Sequence, residues 1–138
     1  MPTADDFTLE HRPDLALLLA RWPTELSEPA QHQAEYARLL AEGQERDCQR
    51  WLLDVRRRPA HSTAMAEWIV AHWLPDSVVA LAPERLRLAY LVSPPRLLAI
   101  EHEAALRSVV AIATDAARPY TLAVFSDEGE AMRWLTAV

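Results

Sequence analysis

The apolar residues of this chain come in short runs broken by prolines and charges, and the runs alternate between two periods. Phe7, Leu9 and His11 share one side of a short strand, Phe7–His11, and Arg12-Pro13-Asp14 closes it in a turn. Leu15 to Trp22, LALLLARW, is almost continuously apolar. Leucine and alanine also favour helix, but Pro13 and Pro23 bracket the run too closely, so it reads as a strand buried on both faces. A helix begins at Ser27, with Pro29 in its first turn and Ala30, Tyr36, Ala37, Leu39 and Leu40 on an inner face that extends towards Cys48.

Trp51–Val55 is the next apolar run, cut off by three arginines and Pro59. Ser62 and Thr63 open a helical pattern in which Met65, Trp68, Ile69, His72 and Trp73 recur at i, i+3, i+4, i+7 and i+8 and which ends near Pro75. Val78, Val79 and Leu81 lie in a weakly patterned connection. In the strand Leu86–Val92, Leu86, Leu88, Tyr90 and Val92 share one face, Ala89 and Leu91 the other, and Ser93-Pro94-Pro95 ends it. Leu97–Ala113 reads as helix, with Leu98, Glu101, Ala105, Ser108 and Ile112 inward and Arg96, Glu103 and Arg107 outward. Pro119 leads into a last strand, Tyr120–Phe125. Asp127 with Glu130 forms a capping box for a closing helix whose inner stripe is Ala131, Trp134, Leu135 and Val138.

The order β, β, α, β, α, β, α, β, α predicts an α/β fold. A β-hairpin start leads into repeated βα units, giving a mostly parallel sheet of about five strands flanked by about four helices, with right-handed crossovers. At 138 residues the chain is read as a single domain, 1–138. Its apolar content of 51% is enough for a core without disulfides or metal. Cys48 is the single cysteine, so no internal disulfide forms and no oxidising compartment is required. No apolar run approaches the ~20 residues of a membrane span. The start, MPTADDFTLEHRP, lacks the basic and apolar regions of a signal peptide. A cytoplasmic protein is expected.

Charge narrows the partners. A net charge of −6 argues against nucleic acid, whose binding rests on neutralising phosphates. Every cationic side chain other than histidine is arginine, so there is no Schiff-base or P-loop lysine. With only two glycines, Gly43 and Gly129, there is no Gly-rich phosphate cradle. No cofactor is expected.

Three pieces carry a resemblance: WLLDVR at Trp51–Arg56, LAYLV at Leu88–Val92, and FSDEGEAMRWL at Phe125–Leu135. Together with the element order they resemble the STAS (SpoIIAA-like) domains, and in particular a divergent group of small bacterial members distantly related to CRAL-TRIO lipid-binding domains. The resemblance covers nearly the whole chain. It implies a non-enzymatic small-ligand or protein-binding module. In regulatory STAS domains an Asp-Ser-Ser-Gly tetrad after the central strand carries a phosphoacceptor serine. Laid without a gap from Asp54, that tetrad falls on Ser62, Thr63, Ala64 and Met65, so Ala64 stands at the acceptor position. Ser62 or Thr63 would serve only if the loop shifted by one.

Candidate site residues gather at the end of Trp51–Val55. Arg56, Arg57 and Arg58 lie between a strand end and a helix start, where ligands of open α/β sheets bind and where free N–H groups favour anions. They would hold a phosphate or carboxylate together with Ser62 and Thr63; otherwise this is a solvated basic loop with Ser62 or Thr63 capping the helix. Asp54 is either a functional carboxylate there or an acceptor for loop N–H groups or an arginine. No catalytic residue is assigned. The alternatives are a hydrolase using Asp54, His61 and Ser62, or a homodimer without a small ligand. His11, His32, His61, His72 and His102 show no metal-ligand spacing. The tryptophans fill a core or, if the core is open, line an apolar pocket.

Overall fold

The computed structural model describes residues 7–23, 29–58 and 63–137. Strands β1 (Thr8–Arg12) and β2 (Leu17–Arg21) form an antiparallel hairpin with Thr8 opposite Arg21 and Arg12 opposite Leu17. Helix α1 (Pro29–Glu45) leads to β3 (Arg50–Asp54), parallel to β2. Then come α2 (Thr63–Trp68), a π-helical segment (Ile69–Trp73) and α3 (Leu74–Leu81). Strand β4 (Arg87–Leu91), helices α4 (Pro94–His102) and α5 (Ala104–Ala113), strand β5 (Thr121–Phe125) and helix α6 (Glu128–Thr136) complete the chain. The five-stranded sheet has the order β1-β2-β3-β4-β5 and is parallel except for the first pair. The α/β architecture expected from the sequence is therefore present.

Each parallel step moves the same way across the sheet, so crossovers of one hand all land on one face. That face carries Leu18, Trp51, Leu53 and Leu88 against Tyr36 and Leu39 of α1, Trp73 of the π segment and Leu74 of α3. The other face, with Leu17, Leu19, Leu52, Ala89 and Leu91, is covered by α6 through Ala131 and Leu135. The run read as buried on both sides is so: Leu17, Leu18, Leu19 and Ala20 are all buried.

Several local expectations are corrected. β2 starts at Leu17 rather than Leu15, because the turn takes up Leu15 and Ala16; Leu15 N–H donates to the Arg12 carbonyl and Ala16 sits at φ 55°. In α1, Ala30 and Ala37 are exposed, and the buried stripe is His32, Tyr36, Leu39 and Gly43. The spacing from Tyr36 fixes that phase, and a reading by residue type preferred alanine to histidine and glycine. Pro75 does not end its helix. The wide π turn, with Leu74 N–H bonded to the Ile69 carbonyl, precedes it, and the chain stays helical to Leu81. The same turn advances the phase, so His72, expected inside, is exposed.

The largest shift of face is in Leu97–Ala113. The helix begins earlier, at Pro94, with Ser93 Oγ accepting from Arg96 N–H at 3.4 Å, and it breaks at Glu103. Leu98, Glu101, Ala105, Ser108 and Ile112 are exposed, whereas Arg96, Leu106 and Ala113 are buried.

Candidate functional site

The carboxyl ends of β2 and β3 present two polar clusters, one on each face of the sheet. Alternation along β3 sends Leu52 and Asp54 towards α6. Asp54 is 5% exposed and accepts at Oδ1 from Arg56 N–H (3.1 Å) and Nε (3.0 Å). Its Oδ2 accepts from Arg56 Nη2 (3.0 Å) and Arg21 Nη1 (2.6 Å). Glu128, in the first turn of α6, receives the same two arginines at 2.8 and 3.1 Å. Burial by itself raises the Asp54 pKa, but the hydrogen bonds from Arg56 and Arg21 together outweigh it and hold the carboxyl below the ordinary aspartate value. The result is a charge-balanced square of two arginines and two carboxylates.

The other cluster forms where the loop turns back. Arg58 N–H donates to the Val55 carbonyl at 3.1 Å, and this turn carries the Arg58 side chain under the helical layer. There it is 6% exposed, 3.2 Å from His32 Nδ1 and 3.6 Å from Glu35 Oε1. Burial, with the charges of Arg58 and Arg96, pushes the His32 pKa down to about 4, so the ring is neutral and Nδ1 accepts from Arg58. The 3.4 Å approach of Nδ1 to Glu35 is then proximity rather than an ion pair. Glu35 also accepts from Trp22 Nε1 at 3.1 Å. The Tyr36 and Tyr90 hydroxyls hydrogen-bond each other at 2.8 Å, and burial pushes both pKa values up.

Beside this cluster lies a cavity of about 80 Å³, between the ends of β3–β5 and helices α2, α4 and α5. Val55 and Ala66, on either side of the arginine loop, belong to its wall. Aliphatic side chains such as Ile69, Leu106, Val110 and Leu122 make up most of the rest, and Tyr90 and Arg96 are its polar members. Arg96 is 9% exposed, and burial lowers its pKa.

The sequence-predicted residues thus part ways. Asp54 and Arg56 are brought together on the α6 face, Arg58 enters the opposite layer, and Arg57 is exposed. Ser62 and His61 lie outside the described residues; Thr63 opens α2, with its side chain outside them. Asp54 does accept from a loop N–H group and from arginines. Arg21, His32, Glu35, Arg96 and Glu128 were missed. For Arg96 a signal existed: Ser93-Pro94-Pro95 is a helix start, and a helix begun there places Arg96 and Ile100 on one side. Among the described residues no group of three or more His, Cys, Asp or Glu is placed to hold a metal ion, and no helix is long and apolar enough to cross a membrane.

In comparisons with known proteins, no family model, no curated protein and no solved structure matches this chain.

Proposed function

We propose that the chain is a non-enzymatic binding module of STAS-like kind that holds a small, largely apolar ligand in the cavity between the sheet and helices α2, α4 and α5. The observation that carries this reading is the cavity itself, mostly aliphatic, with its two polar members at the strand ends where open α/β sheets take ligands. A site of this kind does its work by excluding water from an apolar body and orienting it with a few polar groups. Asp54 supports binding over hydrolysis, since a carboxylate held as an anion by two arginines is a weak base. We further propose a cytoplasmic location, on the grounds of the lone Cys48, which demands no oxidising compartment. The homodimer alternative would rest on exposed apolar side chains such as Val79, Leu98 and Ile112. Singly exposed side chains of that kind are ordinary on protein surfaces.

The test is a titration of isotope-labelled protein with 1-hexanol, followed by amide chemical shifts. Saturable shifts should centre on Val55, Ile69, Val92 and Leu122, and Val110→Trp, which fills the cavity, should remove them. An absence of saturable shifts in the wild type would overturn the reading.

A further inference from the structure

We propose that the ligand of this cavity carries a neutral carbonyl oxygen on a short aliphatic chain, a small ketone being the simplest case, and that this oxygen accepts a hydrogen bond from the Tyr90 hydroxyl. This rests on the binding reading above and adds the chemistry of the polar end.

Tyr36 and Tyr90 hold their hydroxyls 2.8 Å apart, and burial keeps both phenols protonated. Two hydroxyls bring two protons. One lies between the two oxygens, and the other must leave the pair. Among the described residues neither hydroxyl has a second hydrogen-bond partner. On the Tyr36 side that proton meets no acceptor. Tyr36 is 0% exposed and lies among the rings of Trp73, Trp22, His32 and Trp68, with centroids 4.7, 5.0, 5.2 and 6.2 Å away. An indole can only donate, and the neutral His32 ring gives the lone pair of Nδ1 to Arg58. Tyr90, by contrast, is only partly buried and belongs to the cavity wall. The arrangement that uses both protons has Tyr36 donating to Tyr90, and Tyr90 donating into the cavity.

The second polar member of the wall asks for the same kind of partner. A guanidinium carries five donors and no acceptor, so Arg96 can only give hydrogen bonds, whatever else it touches. A polar atom that enters here meets donors and is itself an acceptor. An alcohol fits less well. It brings a third hydroxyl proton, and the chain from Tyr36 through Tyr90 to the alcohol leaves that proton without an acceptor among the described side chains of the wall. A carbonyl closes the chain. It also asks least of an aliphatic wall, because it has no proton to place and no charge to compensate. About 80 Å³ is room for several water-sized spheres, which keeps the chain short.

The experiment compares 2-hexanone with 2-hexanol, which share a skeleton and differ in that proton, by titration at pH 7. 2-Hexanone should bind about fivefold more tightly, the scale of one net hydrogen bond. Tyr90→Phe should remove the difference by weakening the ketone. Tyr120→Phe, the same change at a buried tyrosine outside the cavity wall, should keep it. Equal binding of the two by the wild type, or tighter binding of the alcohol, would overturn the carbonyl assignment while the cavity reading stands. A preference that survives Tyr90→Phe, or is lost in Tyr120→Phe, would overturn it in the same way. Failure of both probes to bind would overturn the cavity reading itself. If Tyr90→Phe does not fold, the infrared carbonyl stretch of 2-hexanone bound to the wild type decides. A hydrogen bond lowers its frequency below the value in hexane, and an unshifted stretch would overturn the assignment.

Discussion

Two buried side chains at the residue scale respond to acid in different windows. Above pH 6.5 the His32 ring is neutral whether the protein is folded or not. Between 6.5 and about 4 the unfolded ring takes a proton that the folded ring refuses, so stability falls as the pH falls. Below about 4 both forms are protonated and the loss is complete, at about 3 kcal/mol for a shift of this size. Urea melts from pH 7 to 4 should show that loss in the wild type and lack it in His32→Gln, which keeps an acceptor for Arg58; parallel curves would refute the assignment. Asp54 acts lower. Its folded pKa is depressed, so its contribution is present above the unfolded value near 3.8 and disappears as the pH falls through the folded value. Asp54 also occupies the position an anion would take between Arg21 and Arg56. Asp54→Ala should therefore cost about 2–3 kcal/mol, at or just below the ~3 kcal/mol low end for breaking a buried pair, since water reaches both arginines. Phosphate should restore part of the lost melting temperature beyond its effect at equal ionic strength on the wild type. That Asp54 would be tied by arginine was legible from its place before Arg56–Arg58. Arg21 and Glu128 were not, because they lie 33 and 74 residues from it in sequence and meet it only once the strands pair.

At the scale of elements, periodicity located most helices and the inner residues of α6, but misplaced the faces of α4 and α5. Apolar side chains were assumed to point inward, and α4 and α5 instead expose Leu98 and Ile112 while burying Arg96. A charged side chain can be turned in only if something receives it, and no spacing rule carries that information. The π segment is a second case: one extra residue in a turn moves every later side chain around the helix, and the heptad count cannot foresee it. Gly43 is a third. A Cβ built there would stand 2.5 Å from Trp51 Cζ2, so the glycine lets α1 lie directly on the indole at the start of β3. Helix propensity favours alanine over glycine by about 1 kcal/mol. Gly43→Ala should nonetheless destabilise, by about 1–2 kcal/mol net, because overpacking against a fully buried tryptophan outweighs the gain. A urea melt showing stabilisation would mean that α1 can lift from the sheet without cost.

Across the whole molecule, the two faces of the sheet are built differently. α6 is held at both ends by arginines from the strands and from the loop after β3. Arg21 and Arg56 grip Glu128 at its start, while Arg50 Nη1 donates to the Leu135 carbonyl at 2.9 Å and Arg87 Nη2 to the Trp134 carbonyl at 2.8 Å at its end. The last two satisfy carbonyls that a helix end leaves open, and the Arg87 guanidinium also lies 3.8 Å from the centre of the Trp134 ring. The opposite face carries the cavity, and two of the helices around it, α4 and α5, break at Glu103 and have mostly exposed residues. Local opening is easiest where few apolar contacts hold an element down. Native-state hydrogen exchange should therefore find the central amides of α6 opening only with global unfolding, and those of α4 and α5 opening at lower free energy. Replacing both Arg50 and Arg87 with glutamine should bring the last turn of α6 into the faster class and leave α4 and α5 unchanged. If α4 and α5 exchange as slowly as α6 in the wild type, the cavity face is as rigid as the clamped one.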